Sequence, residues 1–198
     1  MVDYYDSVPA ATFTLKYKDY FHLKHFYMMT YLWLKEEGWC TEDHKWPEQF
    51  YIQRDIPKFD KTIKYGWRME KYPQTYKDKF IKWTLNIDIQ VIQLRDAEIV
   101  YQNQKYSTNW GEIRIDVKSE VKVDPDKMFS DHWLLKNFAN IFKTRIYRDI
   151  ILKHRQELYR DTYRLQEAMK GYFDLRTYLP EPEDQAGLLF PKKGVGEA

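Results

Sequence analysis

The amino-acid sequence predicts an α+β fold in which helices cover one face of an antiparallel sheet. Apolar and polar residues alternate at residues 80–91 and 111–123, and a helical period follows in the sequence from residue 130 to residue 170. In the first stretch the apolar side is formed by Ile81, Trp83, Leu85, Ile87, Ile89 and Val91. A strand with one polar side is typical of an antiparallel sheet, because parallel strands are usually covered on both faces and read as continuous apolar runs. We therefore predict a four- or five-stranded antiparallel meander, with an aromatic N-terminal helix and a long C-terminal helix packed on one face.

The N-terminal part of the sequence predicts a short strand at residues 12–17 and a helix at residues 20–37. Asp19 is the predicted N-cap of this helix, and Gly38 is predicted to end it. Apolar and aromatic residues lie on nearly every side of the helix. Such a helix is buried on several sides or lies in a subunit interface, because a surface helix carries a single apolar stripe.

Residues 39–60 contain two prolines among charged and aromatic residues, and predict a loop with short turns. Further strands are predicted at residues 61–72, 79–94, 97–106 and 111–123, with turns at 95–96 and 107–109. Because these connections are short, strands that follow each other in the sequence are predicted to be neighbours in the sheet. The apolar phase slips at Ile92 and Leu94, which predicts a bulge or the start of a turn.

The C-terminal helix is predicted to begin at Ser130 or Asp131, and no glycine or proline interrupts the sequence from there to residue 170. A continuous helix of this length would be long for a globule of this size, whose radius of gyration is about 16 Å. The helix is therefore predicted either to break or to project beyond the globule.

The chain of 198 residues predicts a single α+β domain at residues 1–179, followed by a flexible acidic tail at residues 180–198. Cys40 is its one cysteine, which excludes an intramolecular disulfide and favours a reducing compartment. The N-terminus lacks the basic and apolar regions of a secretory signal, and no apolar run is long enough to span a bilayer. We therefore expect a cytoplasmic protein.

No known catalytic motif is present in the sequence. It contains no glycine-rich phosphate loop, no G-x-S-x-G motif and no H-E-x-x-H motif, and its carboxylate pairs fall in no recognisable catalytic frame. The net charge of +2, from 32 basic and 30 acidic residues, gives no overall field that would attract nucleic acid or an anionic membrane. We therefore predict a protein that is not an enzyme and needs no cofactor.

The strongest metal-ligand candidates are His22, His25, Cys40 and His44. Together they offer the nitrogen and sulfur ligands that zinc prefers. Neither pair has the usual spacing of a zinc finger, and His25 lies on an apolar side of its helix, where hydrogen-bonded core histidines are commoner. We predict that no metal is bound.

The leading functional hypothesis is a non-enzymatic interaction protein. In the C-terminal helix a stripe of apolar residues recurs every seven positions, at Ile151, Leu158, Leu165 and Tyr172. Such a stripe is typical of coiled-coil pairing. These four residues are therefore the predicted contacts with a protein partner or with a second copy of the chain.

Two alternatives remain open. Nucleic acid, RNA above all, is a candidate ligand of the basic C-terminal helix and the polar sheet face. Its predicted contacts are the arginines Arg145, Arg148, Arg155, Arg160 and Arg164 and the tyrosines Tyr159 and Tyr163. In addition, the order of elements resembles helix-grip ligand-binding folds in architecture, without a shared motif. That resemblance implies lipid or small-molecule binding between the sheet and the C-terminal helix.

Overall fold

A computed structural model describes residues 7–40, 47–56, 59–73, 80–101, 104–124 and 147–174. The described strands are β1 (Ser7–Phe21), β2 (Glu48–Ile56), β3 (Phe59–Lys71), β4 (Ile81–Tyr101) and β5 (Gln104–Val123). The described helices are α1 (Leu23–Glu36) and α2 (Arg148–Tyr172). All strand pairs are antiparallel and form one sheet in the order β1-β5-β4-β3-β2. The predicted α+β class is therefore confirmed.

Strand β1 is the exception to the predicted order. Strands β2 to β5 form the expected meander, whereas β1 pairs with β5 at the far edge, with Phe13 opposite Val117 and Leu15 opposite Ile115. The apolar sides of these two strands therefore match. Between β1 and β2, helix α1 lies on the part of the chain that connects one edge of the sheet to the other.

Strands β4 and β5 are longer than predicted. The turns predicted at residues 95–96 and 107–109 are wrong, because the two strands stay paired until Tyr101 lies opposite Gln104. The polar residues of the predicted turns are instead part of the ladder: the Asn109 amide donates to Asp96 at 3.1 Å across the two strands. The polar residues at this end of the hairpin therefore do not mark turns.

The predicted bulge in β4 is confirmed. The register shifts between Ile92 and Arg95, and Gln93 adopts a positive φ of 56°. Gly111 of β5 packs against this bulge, since a Cβ atom there would lie 3.1 Å from the Ile92 carbonyl oxygen and 3.2 Å from that of Gln93. A glycine is therefore favoured beside the bulge.

Three boundaries in the N-terminal half differ from the prediction. Strand β1 continues through Asp19, so α1 is capped by His22, whose Nδ1 accepts a hydrogen bond from the backbone N–H of His25 at 3.3 Å. The loop predicted at residues 39–60 contains strand β2. This strand escaped prediction because its apolar residues are consecutive and exposed, without alternation.

Helix α2 begins at Arg148, after the N-cap residue Tyr147. At about 1.5 Å per residue its length is roughly 37 Å, and the helix that carries the seven-residue stripe begins after Tyr147. The predicted caps at residues 130 and 131 and the predicted tail at 180–198 lie outside the described residues. Among the described residues, neither helix combines the length and the hydropathy that a membrane span requires.

The core lies between the helices and one face of the sheet. Its fully buried side chains include Trp67 of β3, Ile87 of β4, Val117 of β5 and Phe26 of α1. The opposite face of the sheet is polar, and Arg68 pairs with Asp88 across β3 and β4 at 2.6 Å. The one-sided sheet that alternation predicts is therefore present.

Candidate functional site

The seven-residue stripe of α2 lies against the sheet and α1. Leu158 and Leu165 are 0% exposed and Ile151 is buried. Tyr172 is half-buried, and its hydroxyl donates to the backbone oxygen of His22 at 2.8 Å. These four residues, predicted as partner contacts, therefore belong to the interior of their own chain, because the apolar sheet takes the place of a second helix.

A buried pair of hydroxyls also holds α2 to the sheet. The Thr162 hydroxyl lies 2.9 Å from the Ser119 hydroxyl of β5 and 2.7 Å from the backbone oxygen of Leu158. Ser119 in turn accepts from the backbone N–H of Ala11 in β1 at 3.1 Å. This contact joins α2 to two strands and fixes which side of the helix faces solvent.

The outer side of α2 carries arginine and large apolar side chains beside the exposed Asp149, Lys153 and Gln156. We call the arginine and apolar set the arginine–tyrosine surface. It consists of Arg148, Leu152, Arg155, Tyr159, Arg160 and Tyr163. Leu152 is 45% exposed and Tyr159 is 46% exposed. Of the residues predicted to contact nucleic acid, five lie in this surface, and Arg145 lies outside the described residues.

The arginines of this surface differ from their neighbour Arg164 in their electrostatics. Within the described ranges, no carboxylate forms an ion pair with Arg148, Arg155 or Arg160, and all three are exposed. Arg164 contacts both carboxylate oxygens of Glu37, at 3.1 and 2.5 Å. Arg164 therefore ties α2 to the end of α1, whereas the other three leave positive charge in solvent.

The two tyrosines of the surface form a contiguous aromatic patch. The rings of Tyr159 and Tyr163 lie with their centroids 4.5 Å apart, and Tyr163 also contacts Phe13 of β1 at 6.3 Å. A hydrogen bond between the two hydroxyls, together with burial, raises the pKa of Tyr163. Both rings are thus held in place by neighbours, which leaves little side-chain entropy to lose on binding.

A shallow, open cavity of about 520 Å³ adjoins this patch. It is lined by Trp33, Tyr159, Arg160, Tyr163, Arg164 and Glu167. Glu167 pairs with Lys170 at 3.3 Å, so the one carboxylate of the lining has a cation of its own. Aromatic faces beside guanidinium groups suit planar or anionic groups of a ligand, and the lining offers no pair of carboxylates for acid–base chemistry.

Burial shifts the pKa of two titratable groups of α2, His154 and Asp161, that are not among the residues lining this cavity. His154 is fully buried against Trp83, and burial lowers its pKa. Burial also raises the pKa of Asp161, which lies 3.5 Å from Arg164 on the side of α2 that faces α1. His154 is inaccessible to a substrate, and the charges around Asp161 join the helices, so both groups have a structural explanation.

The histidine pair of α1 forms no recognisable metal site. The rings of His22 and His25 stack with centroids 3.8 Å apart. His44 lies outside the described residues. Across the part of the chain that the structure describes, no three His, Cys, Asp or Glu side chains cluster in a way that could hold a metal ion.

The space between the sheet and α2, where the helix-grip resemblance implies a ligand, is occupied by the chain itself. Leu158, Leu165 and Met169 are fully buried there, where α2 packs on β1 and β5. The described cavity lies on the outer side of α2.

Comparison with known proteins adds no relative. No protein-family model, curated protein or solved structure is significantly similar to this chain. The functional argument therefore depends on the residues and geometry described above.

Proposed function

We propose that the chain is a non-enzymatic interaction protein that binds an acidic protein partner through the arginine–tyrosine surface of α2. The observation that carries the proposal is the set of three exposed arginines, Arg148, Arg155 and Arg160, with no carboxylate partner among the described residues. They flank two exposed apolar side chains, Leu152 and Tyr159. The inner side of the same helix is committed to the core, so this surface is the side that remains for a partner.

The composition of the surface suits protein recognition. Arginine and tyrosine are enriched among the residues that carry most of the binding energy at protein interfaces. A guanidinium group binds carboxylates in a bidentate manner, which makes acidic side chains the natural complement of this surface. Because Cys40 is a free thiol, we expect to find the partner in a reducing compartment such as the cytoplasm.

Affinity purification with quantitative mass spectrometry and nuclease treatment tests this proposal. The test variant is Arg148→Gln/Arg155→Gln/Arg160→Gln. The control variant, with equal loss of charge at exposed lysines elsewhere, is Lys24→Gln/Lys64→Gln/Lys118→Gln. We expect the test variant to lose a nuclease-resistant partner by about tenfold or more, while the control retains it. Equal recovery by both variants would contradict the proposal.

A second candidate function is single-stranded RNA binding, which the contiguous tyrosine rings favour. Base stacking on an exposed ring contributes about 1–3 kcal/mol, and neighbouring arginines can neutralise phosphates. Binding of a uridine oligonucleotide, followed by fluorescence anisotropy, should weaken in Tyr159→Ala and persist in Tyr20→Ala, whose ring is 50% exposed in β1. Absence of binding at low salt would contradict this function and leave the protein-partner proposal standing.

A further inference from the structure

Strand β2 is an edge of the sheet that no other described element covers. It is the terminal strand beside β3, and no described element lies beyond it. Residues 49–55 are all exposed, and three consecutive apolar residues in their centre, Phe50, Tyr51 and Ile52, are 39%, 50% and 47% exposed. An edge strand presents a row of unpaired backbone N–H and C=O groups, and apolar side chains on such an edge favour pairing with another strand.

The opposite edge of the sheet is protected against such pairing. Strand β1 contains Pro9, which lacks an N–H, and a register shift follows at Ala11. Its exposed residues include Lys16 and Lys18. Proline, bulges and lysine are the devices by which edge strands avoid association. Strand β2 has no charged residue between Glu48 and Arg54, so the contrast between the two edges marks β2 as the pairing edge.

The exposed segment of β2 is complementary to itself. Read in either direction, residues 49–53 have the order glutamine, apolar, tyrosine, apolar, glutamine. Register shifts lie on both sides, after Glu48 and after Arg54, and the pairing with β3 is regular between them. In antiparallel pairing with an identical strand, a central Tyr51 would face its own copy, and each Phe50 would face Ile52 of the other copy.

We propose that two copies of the chain pair through β2 in antiparallel orientation, with the two-fold axis at Tyr51, and form a continuous ten-stranded sheet. This register opposes apolar residues in three cross-strand pairs. A two-fold axis at Ile52 opposes only one such pair and places Phe50 against Arg54. Cross-strand pairs of aromatic and β-branched residues are the stabilising unit of a sheet, so the axis at Tyr51 is favoured.

The packing beneath the strand is consistent with a fixed pairing surface. On the open face the Phe50 ring covers Gly66 of β3, where a Cβ atom would lie 2.3 Å from the ring. On the other face the Tyr51 ring stacks on Tyr65 with centroids 6.3 Å apart. A single strand buries less than the ~1,600 Å² of a standard interface, so the dimer should be weak and concentration-dependent.

Sedimentation velocity between about 5 and about 200 µM tests the dimer. We expect the sedimentation coefficient to rise with concentration towards the dimer value. Ile52→Lys should remain a monomer, because it places a charge among the apolar pairs of the edge. The control Leu32→Lys, which changes an equally exposed leucine of α1, should still dimerise. A wild-type chain that is monomeric throughout this range, or equal dimerisation of both variants, would overturn the proposal.

Cysteine cross-linking in a Cys40→Ser background tests the register of the proposed pairing. Tyr51→Cys places two thiols opposite each other across the axis, whereas Gln53→Cys places them about 13 Å apart along the strands. Mild oxidation should therefore cross-link Tyr51→Cys at least about tenfold faster than Gln53→Cys. Equal rates for the two variants would overturn the proposed pairing.

Discussion

His154 is the residue whose burial has the clearest measurable consequence. Its side chain is 0% exposed beneath Trp83, and burial lowers its pKa from the ordinary 6.5, opposed in part by Glu157 at 3.7 Å. The unfolded chain therefore binds a proton at a higher pH than the folded chain does. Its contribution to stability is complete above about pH 6.5 and declines as the pH falls from there towards the folded pKa.

Urea unfolding between pH 7.5 and pH 5 measures this effect. We expect the free energy of unfolding to fall with pH by up to about 1.4 kcal/mol per pH unit for this one proton. His154→Leu should lose this pH dependence, whatever its stability at neutral pH. The control is His22→Gln. Burial and the neighbouring His25 also lower the pKa of His22, and this variant should keep most of the pH dependence. An unchanged slope in His154→Leu would rule out the explanation.

The elements of the sheet are shaped by the bulge in β4, and Gly111 tests that shape. A Cβ atom at Gly111 would lie 3.1 Å and 3.2 Å from two carbonyl oxygens of the bulge, and neither backbone atom can rotate away as a side chain would. We expect Gly111→Ala to lower the free energy of unfolding by about 1–3 kcal/mol.

Gly171→Ala is the matched control for this substitution. No neighbouring atom of the described residues lies within 4 Å of its Cβ position in the last turn of α2. Alanine favours helix over glycine by up to about 1 kcal/mol, so this variant should be unchanged or more stable. Thermal or urea unfolding of both variants tests this prediction. Equal changes in the free energy of unfolding would mean that the bulge shifts to accommodate the extra methyl group.

At the scale of the whole molecule, the sequence predicts what depends on local periodicity and misses what depends on long-range pairing. Alternation at Ile87 and Val117 identifies the covered sheet face, and the phase slip at Ile92 identifies the bulge. Strand β2 was missed because an edge strand with both sides exposed has no alternation to detect. The pairing of β1 with β5 was missed because no local pattern specifies a neighbour that is a hundred residues away.

In the candidate site, too, local spacing predicts some features, and long-range contacts determine the rest. Helical spacing in α2 correctly groups the stripe on one side and most of the arginines and tyrosines on another. Spacing cannot say whether an apolar stripe meets a sheet of its own chain or a second chain, because both bury the same side chains. Nor does it reveal that Glu37 binds Arg164, since that contact joins two helices that are distant in the sequence.

The division of α2 into a core side and a recognition side is most directly tested at two adjacent residues, Leu158 and Tyr159. Urea unfolding of the alanine variants compares the two sides of the helix. Leu158→Ala should lower the free energy of unfolding by about 2–5 kcal/mol, because it leaves a cavity in the core. Tyr159 is 46% exposed, so Tyr159→Ala should lower the free energy of unfolding by no more than about 1 kcal/mol. Equal losses would contradict the account, because the outer side of α2 would then also be structural core and no free surface would remain for a partner.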